Sequence, residues 1–268
     1  MRGGDVGQDY DAGMSRRGTR HLEGIEWTPN PRRPPNLSRW PFTVPAVAQL
    51  VREEWLEIPP GVTFLIGENG SGKSTLVEAL AAKYPREGHR TPFVAVTGPD
   101  ADDSPLHRNI TLRMHKHASP AGFFLRAESM HAFLDHVDGT DQAYAWGDQK
   151  MQARSHGESF IAVLKHRFDE VGVYFLDEPE AALSFQSCLG LLSLLDVMRK
   201  EGSQLVIATH SPLLASLPGA TLLEIGEDGI RESRYEELAL VQNWRQFMNA
   251  PGRYLRHLFD RTDEPGVT

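Results

Sequence analysis

The chain has 268 residues, 40% of them hydrophobic, enough for one large α/β domain or two small ones around a real core. It contains no run of about 18 uninterrupted apolar residues, which excludes a membrane-spanning helix, and a lone Cys188 excludes an intrachain disulfide. The net charge is −8; residues 1 to 41 carry seven arginines against five acids, or +2, so the remainder carries −10 and argues against a broad nucleic-acid surface.

Residues 1–38 are rich in Gly, Pro, Arg and Asp, and "TPNPRRPPN" forms neither a helix nor a central strand, because each proline removes a backbone donor. A disordered or loosely packed N-terminal arm is expected there. Its Arg16-Arg17 pair is followed by no apolar stretch, so no export signal is expected and a cytoplasmic location is. Periodic structure then occupies 39–259, ahead of a polar tail over 260–268. "GVTFLIG" reads as a short buried strand and "KSTLVEALAAKY" as the helix after it. "PFVAV" at 92–96 and "GFFLRA" at 122–127 are further strands. "ESMHAFLDHV" is helical, with Met130, Phe133, Leu134 and Val137 on one face. "GESFIAVLKHRF" is helical too, "GVYFLDE" is a buried strand, "AALSFQSCLGLLSLLDVMRK" a long helix and "QLVIATH" another buried strand. Cys188, inside that long helix, is expected to be a buried structural thiol. "TLLEIG" and "IRESRY" flank a hairpin turn at Glu227-Asp228-Gly229, and the last helix lies near "EELALVQNWRQFM". Strands alternating with helices predict an α/β fold with a mostly parallel sheet covered on both faces.

The segment Gly67-Glu68-Asn69-Gly70-Ser71-Gly72-Lys73-Ser74-Thr75 fits G-x-x-x-x-G-K-[ST], with a strand before it and a helix after it. Such a loop points successive N–H groups and a helix N-terminus at phosphate oxygens. Lys73 is expected to reach the β- and γ-phosphates of ATP, and the Ser74 hydroxyl to ligate Mg²⁺. A second buried strand ends in Asp177, which would deliver a carboxylate to the Mg²⁺ shell. Glu178, next in the chain, is placed to activate the attacking water. An acidic pair after a strand can also be a helix start with favourable dipole charge. The 104-residue spacing from Lys73 (177 minus 73) favours the catalytic alternative.

GTPases carry D-x-x-G, whereas Asp177 is followed by Glu-Pro-Glu, and no N-K-x-D occurs; the next strand ends in "ATHSP", where ring-forming ATPases carry a polar sensor. His210 lies 33 residues beyond Asp177 (210 minus 177). This set resembles the ABC-type (ATP-binding cassette) P-loop ATPases, in which such a histidine contacts the γ-phosphate. The likeness runs from about Phe42 to Ile225. It implies a P-loop NTPase fold with a small helical lobe between the two phosphate motifs, known as Walker A and Walker B. "RSHGES", 22 residues before Asp177, matches by position the family's L-S-G-G-Q signature at Ser155 and Gly157, while Arg154, His156 and Glu158 depart from it. Read from its own residues it is also a capping box, Ser155-x-x-Glu158, and a capped helix N-terminus suits an anion site. In the family the signature binds the partner subunit's ATP, which implies a head-to-tail homodimer closing on two nucleotides.

"SHGES" and Asp-Glu-Pro-Glu are most similar to stand-alone soluble AAA/ABC-type ATPases rather than transporter cassettes, and "EAALS" resembles the family's D-loop loosely. Glu128 stands where the family has its Q-loop glutamine; it is a candidate ligand of Mg²⁺ or water, or only a helix-start acid. Trp40, Phe42 and Trp55 are the aromatic candidates for stacking on adenine. His115-x-His117 would lie on one side of a strand, without a Cys or acidic partner at metal-ligand spacing. The 82 residues between Lys73 and Ser155 (155 minus 73) are too few for a long coiled-coil arm. The leading expectation is an ATPase that dimerises on ATP and switches an unnamed protein or nucleic-acid partner. The alternatives are the nucleotide-binding subunit of a transporter with a separate membrane permease, and a slowly hydrolysing, nucleotide-gated interaction module.

Overall fold

The computed structural model describes residues 19–84, 95–96, 105–127 and 170–259. Ten strands and six helices order as β1 (Leu22–Trp27), α1 (Pro45–Glu53), β2 (Trp55–Glu57), β3 (Val62–Gly67), α2 (Lys73–Lys83), β4 (Ala95–Val96), β5 (Ile110–Met114), β6 (Gly122–Arg126) and β7 (Val173–Asp177). Then follow α3 (Phe185–Glu201), β8 (Gln204–Thr209), α4 (Pro212–Ala215), β9 (Thr221–Gly226), β10 (Gly229–Glu232), α5 (Ala239–Asn249) and α6 (Pro251–Phe259). These are counts among the described residues. The helices expected over "ESMHAFLDHV" and "GESFIAVLKHRF", and with them the expected helical lobe, lie outside the described residues.

A seven-stranded sheet runs β10-β9-β3-β8-β7-β6-β4, parallel except for the β9–β10 hairpin at one edge. The expected α/β architecture with a mostly parallel sheet is therefore present. Its strands are apolar on both faces, as parallel strands under two helical layers must be. Phe64 and Ile66 of β3, Tyr174 and Leu176 of β7, and Leu205 and Ile207 of β8 pack on one side with Leu191, Leu195 and Met198 of α3. Leu65, Val173, Phe175, Val206 and Ala208 pack on the other with Leu76, Val77 and Leu80 of α2 and Val47 and Leu50 of α1. Cys188 is buried in the first of these layers, and burial pushes its thiol up.

Several elements depart from expectation. The arm expected over 1–38 contains β1, which pairs antiparallel with both β2 and β5 in a second, three-stranded sheet. Leu22 and Ile25 are fully buried there. "HLEGIEW" alternates only weakly, so its strand character comes from tertiary pairing more than from its own pattern. The long helix expected from Ala181 begins at Phe185, because Ser184 caps it by accepting from the Ser187 N–H at 3.2 Å. Helix α1 carries a readable signal that the strand-centred reading passed over: proline in its first turn and buried Ala46, Val47 and Leu50 on one face. A further helix, α6, follows α5 where only a tail approach was expected. His115 and His117 lie beyond β5, which ends at Met114, so they sit in a turn instead of along a strand.

Gln204 joins the two sheets. Fully buried, its Oε1 accepts from the backbone N–H groups of His21 (2.9 Å) and Leu22 (2.8 Å), and its Nε2 donates to the carbonyls of Leu22 and Pro59, both at 2.9 Å. A buried group left without its partner costs about 1–3 kcal/mol. Gln204→Leu is therefore expected to lower the unfolding free energy by about 3 kcal/mol, read as a fall in the denaturant midpoint at unchanged m-value.

Candidate functional site

The site is built at the carboxyl ends of β3, β8, β7 and β6. Between β3 and α2 the chain must turn tightly, and two glycines make that possible. Gly70 and Gly72 hold φ of 80° and 104°, which side-chain-bearing residues rarely adopt. A Cβ on Gly72 would also lie 2.8 Å from Val44 Cγ2, so α1 packs close under the loop. Helix α2 starts at Lys73, with its N-terminal N–H groups facing the loop's concave side.

Lys73 is buried, and its Nζ donates to the carbonyls of Gly67 (2.8 Å) and Glu68 (2.9 Å), closing the loop on itself. Burial lowers its pKa, and the neighbouring charges of Glu178, Asp177 and Glu180 oppose that shift. Ser74 Oγ donates to Asp177 Oδ1 at 2.8 Å, joining residues that are 103 apart in the chain. Arg126, whose register partner across β6–β7 is Asp177, places Nε 3.2 Å from Asp177 Oδ2 and also pairs with Glu78. Burial pushes the Asp177 carboxyl above the usual carboxylate range, while the Ser74 bond and the Arg126 charge pull it back.

Glu178 has φ of 48°, a left-handed conformation that is uncommon outside glycine and recurs at functional positions. Its N–H donates to Ala208 O at 3.0 Å. Its Oε1 lies 2.8 Å from His210 Nε2, close enough for an ion pair but off the direction of a hydrogen bond. Glu180 reaches the same strand end, with Oε1 accepting from Thr209 Oγ1 and from the His210 N–H, each at 2.6 Å. Burial pushes its carboxyl up as well.

Two cavities flank the loop. One of about 210 Å³ is lined by Ser74, Arg126, Asp177 and Glu178. The other, about 830 Å³, opens between Glu68–Ser71, His210, the β9–β10 hairpin and Trp244 of α5. Among the described residues, the aromatic candidates Trp40, Phe42 and Trp55 line neither. Phe42 is buried against Trp27 with ring centroids 5.7 Å apart, whereas Trp40 and Trp55 are exposed.

The residues at the smaller cavity fit Mg²⁺. They supply hard oxygens, a hydroxyl and a carboxylate already 2.8 Å apart, beside open volume. Mg²⁺ favours one or two protein oxygens completed by waters and substrate phosphates. Among the described residues no cluster of three or more His, Cys, Asp or Glu forms a closed metal cage.

Of the expected site residues, the fold brings together Gly67 to Thr75, Asp177, Glu178 and His210. Glu128, Ser155 and Gly157 lie outside the described residues. Arg126, Glu180 and Thr209 are the neighbours that the sequence reading passed over. Glu180 carried a signal, as the second acid of Glu-Pro-Glu; Arg126 carried none beyond closing an apolar strand.

A phosphate loop, an acidic strand end and a histidine strand end on one parallel sheet define the nucleotide-binding core of an ABC-type P-loop ATPase. A family described as AAA domain matches residues 58–215, more than half of the chain, and the chain belongs to that family. Curated relatives include the ribose import ATP-binding protein RbsA of Jannaschia sp. (strain CCS1), 30% identical over 184 residues, covering 58% of this chain and 34% of that protein. A putative ABC transporter ATP-binding protein of Caldanaerobacter subterraneus is 27% identical over 188 residues, covering 62% of this chain and 76% of the relative. The chain thus spans about a third of the length of RbsA. Among solved structures, the SMC head domain from Thermotoga maritima matches at TM-score 0.42 and 14% identity, covering 80% of this chain and 99% of that one.

The buried carboxylates give a stability prediction with a definite sign. A carboxyl raised in the folded state contributes stability that is present below its unfolded pKa and lost as pH rises through the folded one. Asp177→Asn is therefore expected to raise the melting temperature of the nucleotide-free protein at neutral pH. The gain should shrink on acidification, as the wild-type carboxyl takes up its proton; thermal scans across pH 4 to 8 check both parts.

Proposed function

We propose that the protein hydrolyses ATP with Mg²⁺ and uses the cycle to open and close a homodimer that switches a partner. The observation that carries this reading is the Ser74–Asp177 bond of 2.8 Å, which joins the phosphate loop to the end of β7, where Glu178 lies 2.8 Å from His210 at the end of β8. Ser74 and Asp177 would hold Mg²⁺, which when bound would neutralise phosphate charge. Lys73 exchanges its two backbone carbonyl partners for phosphate oxygens, and the loop N–H groups hold the β-phosphate. Glu178 orients a water for in-line attack and takes its proton as the new P–O bond forms and the bond to the ADP oxygen breaks. His210 donates a hydrogen bond to the γ-phosphate. Ser155 and Gly157 act on the nucleotide of the other subunit, and Glu128 on the metal shell.

A second reading is favoured by the names of the relatives, which are transporter ATP-binding proteins. On that reading the same core drives a separate membrane permease, and the protein would co-sediment with membranes of its native host. The leading reading has it remain in the cytoplasmic fraction.

Lys73→Ala is expected to remove most triphosphate affinity in a calorimetric titration, since the charge-assisted contacts are lost. Glu178→Gln should keep ATP binding and slow hydrolysis by roughly two orders of magnitude or more. That variant should also accumulate an ATP-bound dimer, seen as a doubled mass in light scattering. Adding Ser155→Arg should return it to a monomer that still binds ATP. If Ser155 is only a helix cap, the change costs about 0.5–2 kcal/mol of stability and the dimer persists.

A further inference from the structure

We propose that Glu180 is a positioning residue, whose carboxylate holds the end of β8 so that the His210 imidazole stays beside Glu178. The inference rests on the reading of Glu178 and His210 as a working pair. Strand β8 ends at Thr209, and the sheet offers no ladder acceptor to the next N–H, that of His210. Glu180 supplies it. One oxygen, Oε1, accepts from the His210 N–H and from Thr209 Oγ1, both at 2.6 Å. Thr209 Oγ1 in turn accepts from the Ser211 N–H at 3.0 Å. A single carboxylate oxygen thereby fixes the backbone on both sides of His210.

The same short turn anchors the other member of the pair. Glu178 bonds through its N–H to Ala208 O at 3.0 Å, so residues 178 and 180 grip 208, 209 and 210 at adjacent points. The left-handed backbone at Glu178 is what lets the chain reverse quickly enough for Glu180 to reach back. With both strand ends held, the 2.8 Å approach of His210 Nε2 to Glu178 Oε1 is set by backbone geometry and needs no direct hydrogen bond.

The tether needs an acceptor oxygen at this point and not a charge. A neutral side-chain oxygen accepts the same two bonds without the cost of burying a charge. Only Oε1 takes part, and Oε2 is buried with no hydrogen-bond partner among the described residues. Glu180 also does not line the cavity formed by Ser74, Arg126, Asp177 and Glu178, which separates it from the groups that would touch the reacting phosphate. Its effect on hydrolysis runs through His210.

The test is a double-mutant cycle on the full chain with MgATP. Glu180→Ala should lower kcat by about tenfold to a hundredfold, the scale of a small misplacement of a catalytic group, while KM and ATP affinity stay at wild-type values. Glu180→Gln, whose amide oxygen can accept the same bonds, should restore most of kcat. In a His210→Ala background, Glu180→Ala should cause no further loss. Wild-type kcat in Glu180→Ala, losses that multiply in the double variant, or KM rising in step with the fall in kcat would each overturn the proposal. Should Glu180→Ala fail to fold, Thr209→Val removes one of the two donors and is expected to lose kcat in the same direction; an unchanged kcat counts against the proposal. The histidine ring signals in ¹H–¹⁵N spectra provide a readout independent of turnover. The signal that disappears in His210→Ala should shift in Glu180→Ala and return in Glu180→Gln. If wild-type protein hydrolyses no ATP yet this signal shifts, the catalytic reading fails and the tether stands; an unshifted signal removes the tether itself.

Discussion

The parallel register of β3, β8, β7 and β6 is the constraint on which the site depends. Ile66 pairs with Thr209, Ala208 with Asp177, and Asp177 with Arg126, so the last residues of four strands line up across the sheet. Parallel strands send their following loops out at the same edge, which is where open α/β sheets carry their ligands. Lys73, Asp177 and His210, scattered over more than half of the chain, are thereby brought to one edge without any local sequence instruction. Slipping one strand by a single residue would turn Asp177 from one face to the other and exchange every core side chain along it. The two apolar layers, each interdigitating alternate residues of the same strands, prevent that slip.

Charge at this edge is arranged at the expense of stability. Asp177, Glu178 and Glu180 crowd around Lys73, and the two more deeply buried carboxyls are pushed up by desolvation. Arg126 offsets part of this by pairing with Asp177 and Glu78. Lys73, surrounded by acids, bonds two backbone carbonyls that a phosphate can readily displace. Such a cluster is poor packing for an isolated protein and good preparation for a polyanion carrying a divalent cation. The left-handed backbone of Glu178 belongs to the same trade, since strain of that kind persists where the surrounding structure over-determines it.

The smaller sheet has a different task. β1, β2 and β5 cover α1 and α2 from the side, and Gln204, the first residue of β8, bonds the backbone at the start of β1. The strand carrying His210 at one end is therefore fixed at its other end by a buried amide. Helix α1, held beneath the loop by the close approach of Val44 to Gly72, transmits that support to the phosphate-binding turn. The site is thus braced from the second sheet as well as from its own strands.

Much of this was legible from the sequence, and the reasons are local. Gly70, Gly72, Lys73 and Ser74 form a continuous motif whose backbone demands are met within a few residues. The strands ending at Gly67, Asp177 and Thr209 are uninterrupted apolar runs that suit only a buried parallel sheet. The hairpin at Glu227-Asp228-Gly229 follows from its turn residues. The strand character of Leu22–Trp27 was not legible, because a weak alternation becomes a strand only when partners about 30 and nearly 90 residues away (29 for 55 minus 26, and 89 for 113 minus 24) supply its ladder. Nor could spacing reveal that Arg126 faces Asp177 or that Glu180 holds the backbone of His210, since both contacts are set by strand neighbours and by one sharp turn. The sequence by itself determined that a phosphate loop, an acidic strand end and a histidine strand end exist. Only the tertiary structure decided that they meet, because register between distant strands is chosen by packing on both faces of the sheet and not by any residue within them.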